Sequence, residues 1–284
     1  RSPSRGLGDV YKRQGYRTKY LWEEILTPDS ILDILQNFVH LANEEEYFFN
    51  EKTQKIDTTK SEKLIFPRYH QLNLIKKFRS QIKKDGVGNN YLVQHTTGSG
   101  KSYSIGWLSH TLTSLYQKDG DTKRMFDSII VVTDRKVLDN QLQKTIDDLK
   151  KNKGVVYPVE KGSSDLKKFL ESGKDIIIST IQKFPQISDT ISSLGDKRFA
   201  VIIDEVHSSQ SGQLSKELKK SLTKEDDEDG FDFEDMIREE IKNRGRQKHI
   251  SFFGFTGTPK EKTLELFGTK QSNGEFKPFH EYSM

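Results

Sequence analysis

The sequence predicts an α/β protein: a mostly parallel sheet flanked by helices, with a helical segment ahead of it. Two observations predict this. Ile129-Ile130-Val131-Val132, Ile176-Ile177-Ile178 and Val201-Ile202-Ile203 are continuous apolar runs rather than alternating ones, as expected of strands covered on both faces. Amphipathic stretches with helical spacing separate these runs, so the strands are joined by crossovers, and crossover-linked strands lie parallel.

With 284 residues the chain has room for one or two domains. Its 46 basic and 42 acidic side chains leave a net charge of +4, too little by itself to announce a nucleic-acid binder. Seventeen Phe and ten Tyr argue against disorder along the whole length. The absence of cysteine excludes disulfides, thiolate metal sites and a cysteine nucleophile. No apolar run approaches the roughly 18–20 residues of a membrane span, and no signal-peptide core follows the basic start. The expectation is a soluble, intracellular protein with no membrane partner.

Taken in order, residues 1–14 carry Pro3, Gly6, Gly8 and scattered Arg without apolar periodicity, and are read as a non-native artefact outside the fold. The start without Met and the stop at Met284 read as cuts. Residues 15–63 are expected to be a helical segment and linker. Asp29 or Ser30 is the expected N-cap, Ile31, Ile34, Leu35, Phe38 and Leu41 give one apolar face, and 51–63 form a polar linker. Residues 64–284 form the main domain. Strands are expected at 91–94, 128–133, 155–159, 175–179, 199–203 and 250–255, where short β-branched runs have turn-rich flanks. Residues 213–248, dense in both charge signs, are read as a solvated insertion with one or two helices.

Three segments carry chemistry. In the first, the strand at 91–94 runs into Thr96-Thr97-Gly98-Ser99-Gly100-Lys101-Ser102 and then a helical pattern. Glycines let the backbone wrap so that N–H groups face a phosphate at the helix N-terminus. Lys101 would bring a point charge to the β- and γ-phosphates, and the Ser102 hydroxyl would ligate Mg²⁺. The strict phosphate-loop pattern has Gly where this chain has His95. In the second, Asp204 and Glu205 stand just past a buried run, where Asp204 can hold Mg²⁺ and Glu205 can polarise an attacking water. In the third, Thr256-Gly257-Thr258-Pro259 ends another strand at the same edge, the edge at which α/β sheets bind ligands. His70, His95 and His110 have no metal-like spacing and read as packing or surface residues. Trp107 reads as core.

In this order GSGKS, DEVH and TGTP resemble motifs I, II and III of superfamily 2 helicases and translocases. More narrowly, RYHQ, QHTTGSGKS, VVTDRKVLDNQL, STIQKFP, VIIDEVHSSQSG and FFGFTGTP resemble the restriction (R) subunit of type I restriction–modification enzymes. The resemblance covers residues 16–284 and implies a RecA-like P-loop NTPase lobe using ATP and Mg²⁺. It places Arg68 and Gln71 at the adenine, and Thr97, Gly98, Ser99, Gly100, Lys101 and Ser102 around the phosphates. His207, Thr256 and Thr258 would couple nucleotide state to movement, and Arg135, Lys136 and Thr180 would contact DNA. The implied function is ATP-driven translocation on double-stranded DNA, with methyltransferase (M) and specificity (S) subunits as partners. The family's nuclease would precede this stretch and a second motor lobe would follow it. Another superfamily 2 translocase, a metabolic P-loop kinase and an inactive folded fragment are the alternative readings.

Overall fold

The computed structural model describes residues 18–50, 54–118, 121–133, 136–149, 155–159, 163–195, 197–205 and 248–283. Residues 1–14, Arg135, His207 and nearly all of the 213–248 insertion lie outside them. A single π-turn, Leu21–Ile25, leads to helix α1 (Pro28–Asn37). Strands β1 (His40–Asn50) and β2 (Lys55–Ile65) form an antiparallel hairpin. Helix α2 (Tyr69–Asp85), β3 (Asn90–His95) and α3 (Lys101–Thr113) follow. Then come β4 (Ser128–Thr133), α4 (Lys136–Asp148), β5 (Val156–Pro158), α5 (Ser163–Glu171) and β6 (Ile176–Thr180). A 3₁₀ turn, Ile181–Lys183, precedes α6 (Phe184–Ser193) and β7 (Phe199–Ile203). The last elements are β8 (Ile250–Thr256), α7 (Glu261–Phe267), the two-residue strands β9 (Thr269–Lys270) and β10 (Phe276–Lys277), and β11 (His280–Tyr282).

Seven strands make one sheet in the order β11-β3-β8-β7-β4-β6-β5, and every pairing in it is parallel. Both faces are covered. Ile129, Val131, Ile176, Ile178, Ala200 and Ile202 pack with side chains of α2, α3 and α4. Their neighbours Ile130, Val132, Ile177, Val201 and Ile203 pack with α5, α6 and α7. The continuous apolar runs are thus explained: alternate side chains enter two separate cores. Each fully buried Ile or Val contributes roughly 1.5–3 kcal/mol of transfer free energy.

The lead-in corrects the sequence reading. The helix is capped at Thr27 with Pro28 in its first turn, not at Asp29 or Ser30, and it ends at Asn37. Ile34 and Phe38 are buried as expected, but Leu35 and Leu41 are exposed, and Leu41 belongs to β1. The expected linker 51–63 is largely β2, eleven residues paired in register with β1 from His40↔Ile65 to Asn50↔Lys55. Ten of the eleven β2 residues are exposed or half-buried. With no buried face, no period-2 apolar alternation marks the strand, and the ladder alone defines it. Phe38 anchors the lead-in to the lobe: its ring lies 6.1 Å from that of Trp107, whose indole N–H donates to the Phe38 carbonyl at 3.1 Å.

Candidate functional site

The C-terminal ends of β3, β8, β7, β4 and β6 lie side by side and carry, in that order, Thr97–Ser102, Thr256–Thr258, Asp204-Glu205, Lys136 and Thr180. Candidates scattered from Thr97 to Thr258 in the sequence therefore share one edge because the strands are parallel. Strand spacing of ~4.8 Å puts Thr180 ~19 Å from the end of β3, so a ligand at the phosphate loop is out of its reach. Thr180 caps the 3₁₀ turn after β6 and is nearly buried.

The loop between β3 and α3 turns on Gly98 (φ +81°) and Gly100 (φ +83°), a region that L side chains rarely enter. A Cβ at Gly100 would also stand 2.7 Å from the Gln71 amide nitrogen. The beginning of α2 holds this loop through three successive carbonyls. Arg68 Nη1 donates to Gly98 O at 3.4 Å, His70 Nε2 to Ser99 O at 3.0 Å, and Gln71 Nε2 to Gly100 O at 3.1 Å. Gln71 Oε1 accepts from the Arg68 backbone N–H at 2.8 Å, which also caps α2. Arg68 and Gln71 thus brace the phosphate loop in this structure. With the carbonyls turned back to α2, the N–H groups of Lys101 and Ser102, which have no partner within the helix, remain for an anion. The Ser99 hydroxyl is fully buried and makes no hydrogen bond. This glycine cradle, cationic at its end, fits a phosphate chain.

Lys101 and Glu205 meet. The ammonium lies 2.8 Å from Glu205 Oε1 and donates to the His95 carbonyl at 3.3 Å, with the lysine side chain only 11% exposed. Glu205 adopts φ +54°, a left-handed conformation costing a non-glycine residue of the order of 1–3 kcal/mol. Asp204 continues the ladder through its N–H to Val132 O at 2.9 Å. The Gly257 turn rests on the start of the phosphate loop, where a Cβ would stand 3.6 Å from His95 O and 3.7 Å from Thr97 Oγ1. Thr256 is buried, and its Oγ1 accepts from the Thr258 N–H at 3.3 Å. Among the described residues no group of three or more His, Asp or Glu could by itself hold a metal ion. Mg²⁺ needs no such group when substrate phosphates supply oxygens beside one carboxylate and a hydroxyl. Asp204 and Ser102 are the residues that fit that set.

A histidine cluster behind the loop was missed as a unit. His70 and His95 are buried, in accord with a packing role, and His110 bonds the Ile146 carbonyl at 2.8 Å. His95 Nε2 lies 2.9 Å from His280 Nδ1, whose ring Nε2 lies 3.2 Å from Asn73 Oδ1. His70 stacks on Tyr282 at 3.7 Å between centroids. Burial first, then the nearby His280, His70 and Lys101, pull His95 down to about 3. Burial, Lys77 and His70 pull His280 down to about 4. His70 is also lowered, by burial against the opposing pull of the Ser99 carbonyl. No local pattern could flag His280, which lies 185 residues from its partner.

Residues 70–231, more than half of the chain, match the SWI2/SNF2 ATPase family. An endonuclease subunit of a type I restriction enzyme of Staphylococcus aureus (strain COL) is 28% identical over 178 residues, 61% of this chain and 15% of the relative. The putative C-terminal part of a type I restriction enzyme endonuclease subunit of Mycoplasma pneumoniae (strain ATCC 29342 / M129 / Subtype 1) is 30% identical over 168 residues, 53% of this chain and 76% of that protein. The chain therefore spans only 15% of the length of the staphylococcal relative. Among solved structures, a nuclease-deletion mutant of the Type ISP restriction–modification enzyme LlaGI with a DNA substrate mimic aligns with 68% of this chain and 18% of its own, at 14% identity and a TM-score of 0.44. The UvsW helicase of bacteriophage T4 aligns with 91% of this chain and 68% of its own, at 15% identity and a TM-score of 0.43. No helix among the described residues is long and apolar enough to cross a membrane. With a seven-stranded parallel sheet carrying a phosphate loop and an acidic pair at one edge, the chain belongs to the SWI2/SNF2 ATPases and to the endonuclease subunits of type I restriction enzymes.

Proposed function

We propose that this edge binds Mg-ATP and hydrolyses it, and that within a longer restriction endonuclease subunit the lobe turns hydrolysis into movement along double-stranded DNA. The observation that carries the reading is the 2.8 Å meeting of Lys101 with Glu205 at the mouth of a glycine cradle. An ammonium and a carboxylate so placed suit a phosphoryl centre and a water beside it. Thr97, Gly98, Ser99 and Gly100 wrap the phosphates, Lys101 offers its charge to them, and Glu205 orients the attacking water and takes its proton. Ser102 and Asp204 would hold Mg²⁺, which supplies charge neutralisation between the β- and γ-phosphates. Gly257, resting on Thr97, gives Thr256 and Thr258 a route to sense the nucleotide. His207 is proposed for the same coupling. Lys136 and Thr180, farther along the edge, are assigned to the DNA backbone, and Arg135 is proposed for the same role. M and S subunits are the proposed partners of the longer protein.

Phosphate hydrolysis with and without duplex DNA, measured on the complete endonuclease subunit and its Glu205→Gln variant, tests this. The wild type should show DNA-stimulated turnover, and the variant should lose it by a factor of about 10² or more while still binding Mg-ATP. Equal turnover in both would remove Glu205 from the reaction.

A further inference from the structure

The edge strand β11 is tied to the phosphate loop more than to the rest of the sheet. It pairs with β3 alone, through His280↔Val93, Glu281↔Gln94 and Tyr282↔His95. The Tyr282 carbonyl accepts from the Thr96 N–H at 3.2 Å, inside the loop itself. Its ring stacks on His70, which in turn donates to the Ser99 carbonyl. Its neighbour His280 meets His95, whose own carbonyl accepts from Lys101. The placement of the Asn73 amide oxygen against His280 sets the direction of this chain. The Asn73 amide oxygen can only accept, so His280 carries its hydrogen on Nε2 and leaves Nδ1 as an acceptor. His95 must then donate from Nε2. The opposite nitrogen of His95 is buried without a partner, so the ring is held by His280 alone on its polar side.

We propose that His280 and Tyr282 are positioning residues for the phosphate loop, linking nucleotide occupancy to docking of β11 so that each stabilises the other. The inference rests on the nucleotide reading above and adds to it a route by which chain following β11 would feel the nucleotide. It acts through His70 and His95 and not by contact with phosphate. Linkage makes the effect reciprocal: whatever β11 docking adds to nucleotide affinity, nucleotide adds to β11 docking.

Mg-ADP binding by calorimetry, together with amide hydrogen exchange over 276–283, tests it on the whole chain. In the wild type, Mg-ADP should slow exchange in β11. His280→Ala removes the acceptor and leaves the His95 N–H buried and unpaired. Affinity should fall about five- to fiftyfold, and nucleotide should no longer protect β11. His280→Asn keeps an acceptor at the position of Nδ1 and should recover most of both effects, which a purely space-filling role would not predict. Asn73→Ala carries the same test should His280→Ala fail to fold. It leaves both histidines in place, so imidazole ¹⁵N signals should report loss of the single Nε2–H form of His280, with weaker Mg-ADP binding. Wild-type binding with unchanged β11 exchange, or folded His280→Ala binding as tightly as wild type, would overturn the inference while leaving the nucleotide site intact. No Mg-ADP binding by the wild type would overturn both.

Discussion

Glu205 pairs with the Lys101 ammonium at 2.8 Å, the same charge that the proposed phosphates would share. Glu205→Gln weakens the competing contact, so Mg-ATP affinity should be unchanged or somewhat tighter, and calorimetry should find no loss. The histidines give a second residue-scale prediction. His95 near 3 and His280 near 4 lie below the ordinary 6.5. As pH falls below about 6.5, the unfolded chain takes up protons that the folded cluster, ringed by His70, Lys77, Lys101 and Asn73, refuses. The stability from keeping these rings neutral is full above that pH and is lost as pH drops through about 4 and then 3, at up to roughly 1.4 kcal/mol per pH unit per histidine. Urea midpoints measured between pH 7 and 5 should fall, and about half of that fall should vanish in His280→Asn. Lys101, Ser102, Asp204 and Glu205 were legible in the sequence because each sits beside its own strand or turn signal. His280 and Tyr282 were not, because their partners are set by which strand pairs with β3.

At the scale of elements, legibility followed burial. Strands β4 and β7 match the sequence reading end to end because unbroken β-branched runs have one explanation, a strand covered on both faces. The hairpin β1–β2 escaped notice because its second strand exposes nearly all its side chains. Three-residue β11, His-Glu-Tyr, is too short to carry a pattern. The attachment of the lead-in rests on Phe38, fully buried beside Trp107. Phe38→Ala should cost about 3–5 kcal/mol, mostly local to α1 and the hairpin. Hydrogen exchange should speed up there while the phosphate loop stays protected. Uniform loss of protection would instead make the lead-in part of the same cooperative unit as the sheet.

Across the whole molecule, parallel strands bring one end of each crossover to a common edge, and the candidate chemistry collects there. The arginines among the described residues do not crowd that edge. Arg68 braces Gly98, whereas Arg79, Arg124 and Arg198 face Asp33, Asp175 and Asp127. A transferring phosphoryl group gains about 10³–10⁵ in rate from an arginine. We propose that this arginine comes from elsewhere in the longer subunit, so that ATP turnover by these 284 residues should be slower, by about 10³ or more, than by the full-length subunit on duplex DNA; comparable steady-state rates would place the needed charge within this chain. Binding precedes hydrolysis, and the glycine cradle and Lys101 are proposed to take the phosphates of Mg-ATP. Titration calorimetry of Mg-ATP into this chain and into Lys101→Ala tests it most directly. The wild type should show saturable one-to-one binding, weakened about tenfold to hundredfold in the variant by loss of a charge-assisted contact. Equal affinity for the two proteins, or no binding by the wild type, would contradict it.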